Sequence, residues 1–374
     1  MISGFATPGA TARYAARFPE LQRAGHYRHA ASVPDVSELS LSSIGIGTYL
    51  GGPTDEADCA YTGAIVTAVR GGINVIDTAI NYRHQRSERN VGAALKALID
   101  TKEARRDELL VCTKAGYIPF DSDIPADAMG YLRREYIESG IAPASDIVGG
   151  SHCIHPRYLA DQIERSRRNM SLATIDVFYL HNPETQLAHV SRDIFYQRLR
   201  AAFEYLERAV ADKKIRCYGA ATWGGFRANP ADRSYLSLED FVIVAKKVAG
   251  EKHHFRFVQL PFNLAMLEAF AYGNQYRDKQ AASLLMQAPE FGVAVVGSGT
   301  LYQGNLAQGI PPQLKAALAA NTDSEAAIQF ARSATNITTS LVGMGQKQHA
   351  EMNAAVAISP FVPREQWESL FSKK

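Results

Sequence analysis

Short apolar runs alternate with longer amphipathic stretches through most of this chain, and that beat constrains the fold more than any other feature. Ser43–Thr48 reads as a strand ending in a glycine-rich turn. Asp55–Gly71 then carries Ala57, Ala60, Tyr61, Ala64, Ile65, Ala68 and Val69 on one helical stripe, stopped by Gly71-Gly72. The same pattern predicts strands over Ile73–Asp77, Leu109–Lys114, Ile175–Leu180, Ile215–Ala220, Phe255–Leu260, Val293–Val296 and Ser340–Val342. Helices are predicted over Ser87–Ile99, Pro156–Met170, Asp193–Ala211, Leu238–Ala249, Gln275–Ala288, Asp323–Thr335 and Gln346–Ile358. Nearly continuous apolar strands belong in a parallel sheet covered on both faces. Eight strand-helix units in one chain close such a sheet into an α/β (β/α)8 barrel, the TIM barrel. An open doubly wound sheet is the competitor, but no G-x-G-x-x-G opens a helix with an acidic residue ~20 positions later. Gly45-Ile-Gly47 and Gly297-Ser-Gly299 read as strand-to-loop turns.

A single barrel accounts for residues 41–374, with residues 1–40 as an N-terminal extension that either plugs the barrel floor as a hairpin or hangs as a loose tail. Residues 115–155, with Pro119, Pro125 and Pro143, interrupt the beat after strand three. Standing at the mouth, and carrying Tyr117, Ile118, Phe120, Tyr131, Tyr136 and Ile141, they are expected to form a lid that shapes the substrate pocket, with a decorative or oligomer-forming loop as the alternative. Part of this insertion is expected to be helical around Tyr131–Ser139.

Forty Lys and Arg against 38 Asp and Glu leave a formal charge of +2, which provides no footprint for nucleic acid or an anionic membrane. No apolar run approaches the ~20 residues of a membrane helix. The first residues lack the apolar core of a secretory signal. Cys59, Cys112, Cys153 and Cys217 form no C-x-x-C pair and read as reduced thiols, consistent with a cytoplasmic location. Ser151-His-Cys-Ile-His155 has two histidines and a cysteine but no second ligand pair at zinc spacing, so no metal is expected.

In a barrel of this kind, chemistry gathers where the strands end. Strand two ends at Asp77, strand three at Lys114 and strand four at His181, with Tyr82 in the loop after strand two. Singly, each has an ordinary reading as cap, surface charge, core histidine or packed aromatic. Ionisable groups that close three successive apolar runs are costly unless they pair, and Lys114 with Asp77 could form that pair. A lysine beside a tyrosine is expected to lower the phenol pKa towards a useful range, while a histidine orients a carbonyl oxygen. A proton donor facing a carbonyl also needs a hydride, which a nicotinamide cofactor can supply.

Gly72-Ile-Asn-Val-Ile-Asp77-Thr-Ala-Ile-Asn-Tyr82, followed by Ser87-Glu88 and Val91-Gly92, resembles the signature of the aldo-keto reductases. Thr113-Lys114, Asp176–His181, Ile215–Gly219, Val258–Asn263 and Leu341–Met344 extend the resemblance in order over roughly residues 40 to 358. It implies carbonyl reduction, or the reverse, with NADP or NAD, on small-molecule carbonyl substrates. Tyr82 would be the acid/base, assisted by Lys114 and Asp77, with His181 placing the carbonyl. Gly47, Thr48, Thr222, Gln259, Ser298, Gly299, Thr300, Leu301, Gly343, Lys347, His349 and Asn353 would join Asp77 in holding the cofactor. Tyr49 and Trp223 would join Tyr82 and His181 around the substrate.

Ala221-Thr222 replaces the family's Ser-Asn, Ser298 replaces a stacking aromatic, and Met352 replaces a Glu or Gln. Trp223 and Tyr302 are nearby aromatics that could stack instead. His349 stands where an Arg is usual, and Lys347 is the nearby cation for a 2′-phosphate. A second reading is therefore a cofactor-binding regulatory or structural subunit with little turnover. Oligomeric state is not legible in the sequence.

Overall fold

The computed structural model describes residues 1–371. Eight parallel strands close a barrel: β1 (Ile44–Gly47), β2 (Val75–Asp77), β3 (Leu110–Ala115), β4 (Ile175–His181), β5 (Ile215–Ala221), β6 (Phe255–Pro261), β7 (Ala294–Ser298) and β8 (Ile337–Gly343). Strands β2, β3, β4 and β6 are buried at every position, as a sheet covered on both faces requires.

The helices between them are α1 (Asp55–Arg70), α2 (Arg86–Asp100), α3 (Pro156–Asn169), α4 (Arg192–Ala211), α5 (Leu238–Ala249), α6 (Leu284–Glu290), α7 (Asp323–Ser333) and α8 (Lys347–Ala355). Their starts follow from local chemistry. Thr54, Ser191 and Ser237 accept the N–H groups of Ala57, Ile194 and Asp240, and Thr322 with Glu325 forms a full capping box on α7.

Register decides where the strand-end residues meet. Gly47 lies beside Asp77, Asp77 beside Cys112, Lys114 beside Tyr179, His181 beside Ala221 and Ala221 beside Gln259. Gly343 beside Gly47 closes the ring.

The hydrophobic core lies in two layers. One packs strands against helices; the other fills the barrel with Val75, Leu110, Cys112, Val177, Tyr179, Phe257, Val296 and Leu341. Val33, Val36, Leu39 and Leu41 of the first 42 residues belong to this inner layer. That segment is a floor: Tyr27–Arg28 pairs antiparallel with Leu41–Ser42, and Asn74 ties it to the barrel through Ser42 N and Ser40 O. Tyr14, fully buried in the helix Pro8–Ala16, donates its hydroxyl to the carbonyl of Val69 at 2.5 Å, with the Ile73 carbonyl 3.1 Å away. Farther along, Asp176 accepts from Ala6 N, Val111 N and Arg106, so one buried carboxylate joins the floor to two strands.

Two expectations change. Gln275–Ala288 is not one helix: Gln275–Arg277 and Gln280–Ala282 form a hairpin, and the helix starts only at Leu284. Asp278 and Lys279 turn the hairpin in left-handed backbone, and the Gln275 side chain bonds Phe226 O, Leu236 O and Leu238 N. Those tertiary bonds override a weak helical pattern. The insertion is also not seated over the mouth: none of residues 115–155 lines the cleft there. Its helical stretch runs from Ala128 to Glu138, the second half with π geometry. Phe120, Tyr131 and Tyr136 contact one another edge-on in series, and the buried Tyr136 ring packs tilted against the buried Tyr158 of α3, which holds the insertion laterally.

Candidate active site

Strands β2 and β3 end side by side, which puts the carboxylate of Asp77 against the ammonium of Lys114. Nζ donates to Asp77 Oδ1 at 2.5 Å and to Thr78 O at 2.8 Å, with both side chains almost wholly buried. The other carboxylate oxygen, Oδ2, accepts from Gln259 Nε2 at 2.8 Å. Burial works to deprotonate Lys114, but the adjacent carboxylate outweighs it and holds the ammonium above its ordinary pKa. The expected Lys–Asp pair is therefore formed.

Tyr82 hangs over this pair, with the Lys114 ammonium 5.0 Å from its ring centroid. The chain reverses directly after it: Arg83, His84 and Gln85 all lie in the left-handed region, at φ 48°, 55° and 71°. Three such residues in a row are costly and need outside support. Arg83 supplies it through Gly52 O, Asn90 and the carboxylate of Asp58, and Gln85 through Phe120 O and Asn169. The Tyr82 pKa departs from the sequence expectation. Burial pushes the phenol above its ordinary value, and the opposing pull of Lys114 does not overcome it. The phenol accordingly keeps its proton.

His181 faces Tyr82 with ring centroids 5.8 Å apart and the planes at 78°. Its pKa falls well below the ordinary value, first through burial, then through the charge of Lys114. The imidazole is neutral at physiological pH and Nδ1 is buried without a partner. A neutral ring can donate one hydrogen bond without delivering a charge.

A cleft of about 500 Å³ opens at this mouth. Asp77, Tyr82 and His181 line its base, with Gly47, Thr48, Thr222, Gln259, Ser298, Gly299, Thr300, Leu301, Gly343, His349 and Asn353 along its walls. Tyr49, 56% exposed, and Trp223, 47% exposed, stand at the rim. Thr222 Oγ1 and Thr300 Oγ1 are buried hydroxyl oxygens with no partner in the protein, which suits a polar ligand in the cleft. Lys114 lies behind the base rather than on it. Lys347 is not brought to the cleft: its stem lies over Gly63 of α1, where an added Cβ would be 2.5 Å from Lys347 Cε. Among the described residues, no Lys or Arg lines the cleft.

Several wall residues carried no signal in the sequence. Leu50, Gln303, Ser324 and Gln348 reach the cleft from loops or helix starts. Glu184, beyond the cleft, gathers the N–H groups of Trp223, Gly224 and Gly225 on one carboxylate oxygen at 2.9, 3.1 and 3.2 Å, and so shapes the loop that presents Trp223. A fixed i to i+39 spacing of this kind belongs to no local motif. The residues of the Ser151–His155 segment do not assemble a metal site: among the described residues no three His, Cys, Asp or Glu side chains converge on one point. All four cysteines are free thiols, and only Cys59 is exposed.

Eight parallel strands whose ends assemble a tyrosine, an ion-paired lysine and a neutral histidine beside an open cleft define the class: an α/β barrel with its site at the strand ends. The chain belongs to the aldo/keto reductase family, whose sequence model, "Aldo/keto reductase family", matches residues 43–370. Among individual proteins, an NADH-specific methylglyoxal reductase of Escherichia coli is 26% identical over 218 residues, covering 56% of each chain. The chain thus spans about half the length of this relative. In overall fold it is similar to an aldo/keto reductase from Klebsiella pneumoniae in complex with NADP and acetate (19% identity, TM-score 0.58, 89% and 91% of the two chains). It is likewise similar to the glycerol dehydrogenase of Gluconobacter oxydans (18% identity, TM-score 0.59, 93% and 94%). Among the described residues, no helix is long and apolar enough to cross a membrane.

Proposed function

We propose that the protein is an NAD(P)H-dependent carbonyl reductase, interconverting a small aldehyde or ketone and its alcohol, with Tyr82 as the proton donor. The observation that carries this is the buried Asp77–Lys114 pair at 2.5 Å directly beneath the Tyr82 ring. A nicotinamide dinucleotide bound along the cleft supplies the hydride. Tyr82 holds its proton in the resting state and delivers it to the carbonyl oxygen as negative charge develops there. Lys114 then stabilises the phenolate left behind, since its charge is fixed by Asp77. His181, neutral, donates a hydrogen bond that orients the carbonyl, and Tyr49 and Trp223 flank the substrate at the rim.

The walls fit the cofactor. Buried hydroxyls at Thr222 and Thr300, the Gly47 and Gly299 backbone and the Gln259 amide suit its ribose, phosphate and carboxamide groups. A wall without Lys or Arg gives a 2′-phosphate no counter-charge, which supports use of NADH as readily as NADPH. The NADH specificity of the Escherichia coli relative agrees with that reading.

Two measurements test it. NADH and NADPH are titrated against the intrinsic tryptophan fluorescence, and turnover is then followed on a panel of aldehydes and ketones. Tyr82→Phe is expected to bind nucleotide as the parent does and lose turnover by about 10²–10⁴-fold. Near-parental rates in Tyr82→Phe remove the proton-donor role. Tight nucleotide binding without turnover on any carbonyl favours the regulatory-subunit reading, which the changed positions Thr222, Ser298 and Met352 motivate.

A further inference from the structure

His152 lies at the far end of the insertion and is fully buried. Its Nε2 is 2.8 Å from the main-chain carbonyl of His181. The tautomer follows from the next two bonds. Arg198 Nη1 donates to Gln186 Oε1 at 2.6 Å, so the other end of that amide is its nitrogen. That nitrogen donates to His152 Nδ1 at 2.8 Å. His152 Nδ1 is then the bare acceptor, the proton sits on Nε2, and Nε2–H donates to His181 O. Burial pushes the His152 pKa down to about 4, so this neutral tautomer persists at physiological pH.

The first residues of the insertion complete the arrangement. A Cβ on Gly116 would fall 2.4 Å from His181 O and 2.8 Å from His152 Nε2, so only glycine leaves room for this bond. The Tyr117 ring stands edge-on to both imidazoles, 5.1 Å from His152 and 5.3 Å from His181. Its hydroxyl is pinned by Asn182 Nδ2 and Thr185 Oγ1, both at 3.2 Å. The carbonyl and the ring of His181 are thus both gripped by the insertion.

We propose that His152 is a positioning residue for His181: the chain Arg198–Gln186–His152 fixes the His181 carbonyl, and Tyr117 its ring, so that the imidazole presents one orientation to the substrate oxygen. The inference rests on the carbonyl-reductase reading for its kinetic consequence, but not for its structural one. The insertion thereby acts on the site from behind, without touching the cleft.

The test compares His152→Ala and His152→Gln in the full-length protein. Glutamine places an N–H donor near the position of Nε2. His152→Ala is expected to lower kcat/KM for a carbonyl by about 10–100-fold with nucleotide affinity unchanged, and His152→Gln to recover most of the loss. Ring ¹⁵N shifts of His181 in histidine-labelled protein give a readout independent of turnover. A single set of ring signals is expected in the parent and in His152→Gln, and shifted or broadened signals in His152→Ala. A parent that reduces no carbonyl defeats the enzymatic reading and leaves the ¹⁵N comparison to decide the inference. Unchanged His181 shifts in His152→Ala overturn it, as does equal loss of nucleotide binding and turnover without rescue by glutamine.

Discussion

Gln259 Nε2 donates to Asp77 Oδ2, the carboxylate oxygen opposite the one that Lys114 holds. The two donors divide the carboxylate between them, one from β3 and one from β6, across the width of the barrel. Hydrogen bonds to charged groups contribute about 1.5–3 kcal/mol.

Removing that amide tests how far the lysine depends on it. Gln259→Leu is expected to lower unfolding free energy by about 1.5–3 kcal/mol in urea melts and to weaken nucleotide binding, because Gln259 also lines the cleft. Parental stability in Gln259→Leu means the second oxygen is satisfied by other means.

Lys114→Met strands the Asp77 carboxylate in a dry site. Loss of one partner of a buried pair costs about 3–5 kcal/mol. The double variant Asp77→Asn/Lys114→Met is expected to regain much of the stability and none of the activity. If the single variant is as stable as the parent, the pair is open to water and the electrostatic argument for Tyr82 fails.

The pH profile follows from two directions. Tyr82 is raised and stays protonated through the neutral and mildly alkaline range; His181 is lowered and stays neutral there. Reduction is expected to hold a level kcat/KM between about pH 6 and pH 9 and to fall only at higher pH, as the phenol ionises. Alcohol oxidation needs the phenolate and should climb with pH over the same range. A break in the reduction profile near pH 6.5, the ordinary histidine value, contradicts a neutral His181.

Glu184 organises a loop rather than a reaction. Glu184→Ala frees three main-chain N–H groups at Trp223, Gly224 and Gly225. A rise in KM for the carbonyl, with kcat little changed and stability lower by about 1–3 kcal/mol, is the expected result. An unchanged KM shows that Trp223 does not shape the substrate pocket.

The barrel and its strand-end residues were legible because each of Asp77, Lys114 and His181 closes an apolar run, so periodicity alone places them at one mouth. Burial then settles what periodicity cannot. A lysine beside Tyr82 predicts a lowered phenol pKa, but a sequence does not reveal how dry the phenol is. Contacts of long reach left no trace either. Glu184 meets the β5 loop and His152 meets β4 through side chains that follow no repeat, and the left-handed run Arg83-His84-Gln85 contains none of the glycine that usually marks such backbone. The helix expected over Gln275–Ala288 failed for the same reason: Gln275 is spent on Phe226 O and Leu236 O, partners distant in sequence.

The floor built by the first 42 residues also sets a timetable for synthesis. Val33, Val36, Leu39 and Leu41 leave the ribosome early, yet Phe257, Val296 and Leu341, their neighbours in the finished barrel, are translated hundreds of codons later. Until then this greasy stretch has no permanent home, and the nascent protein must shelter it or be sheltered, so holding chaperones should matter more for its yield than for its final stability.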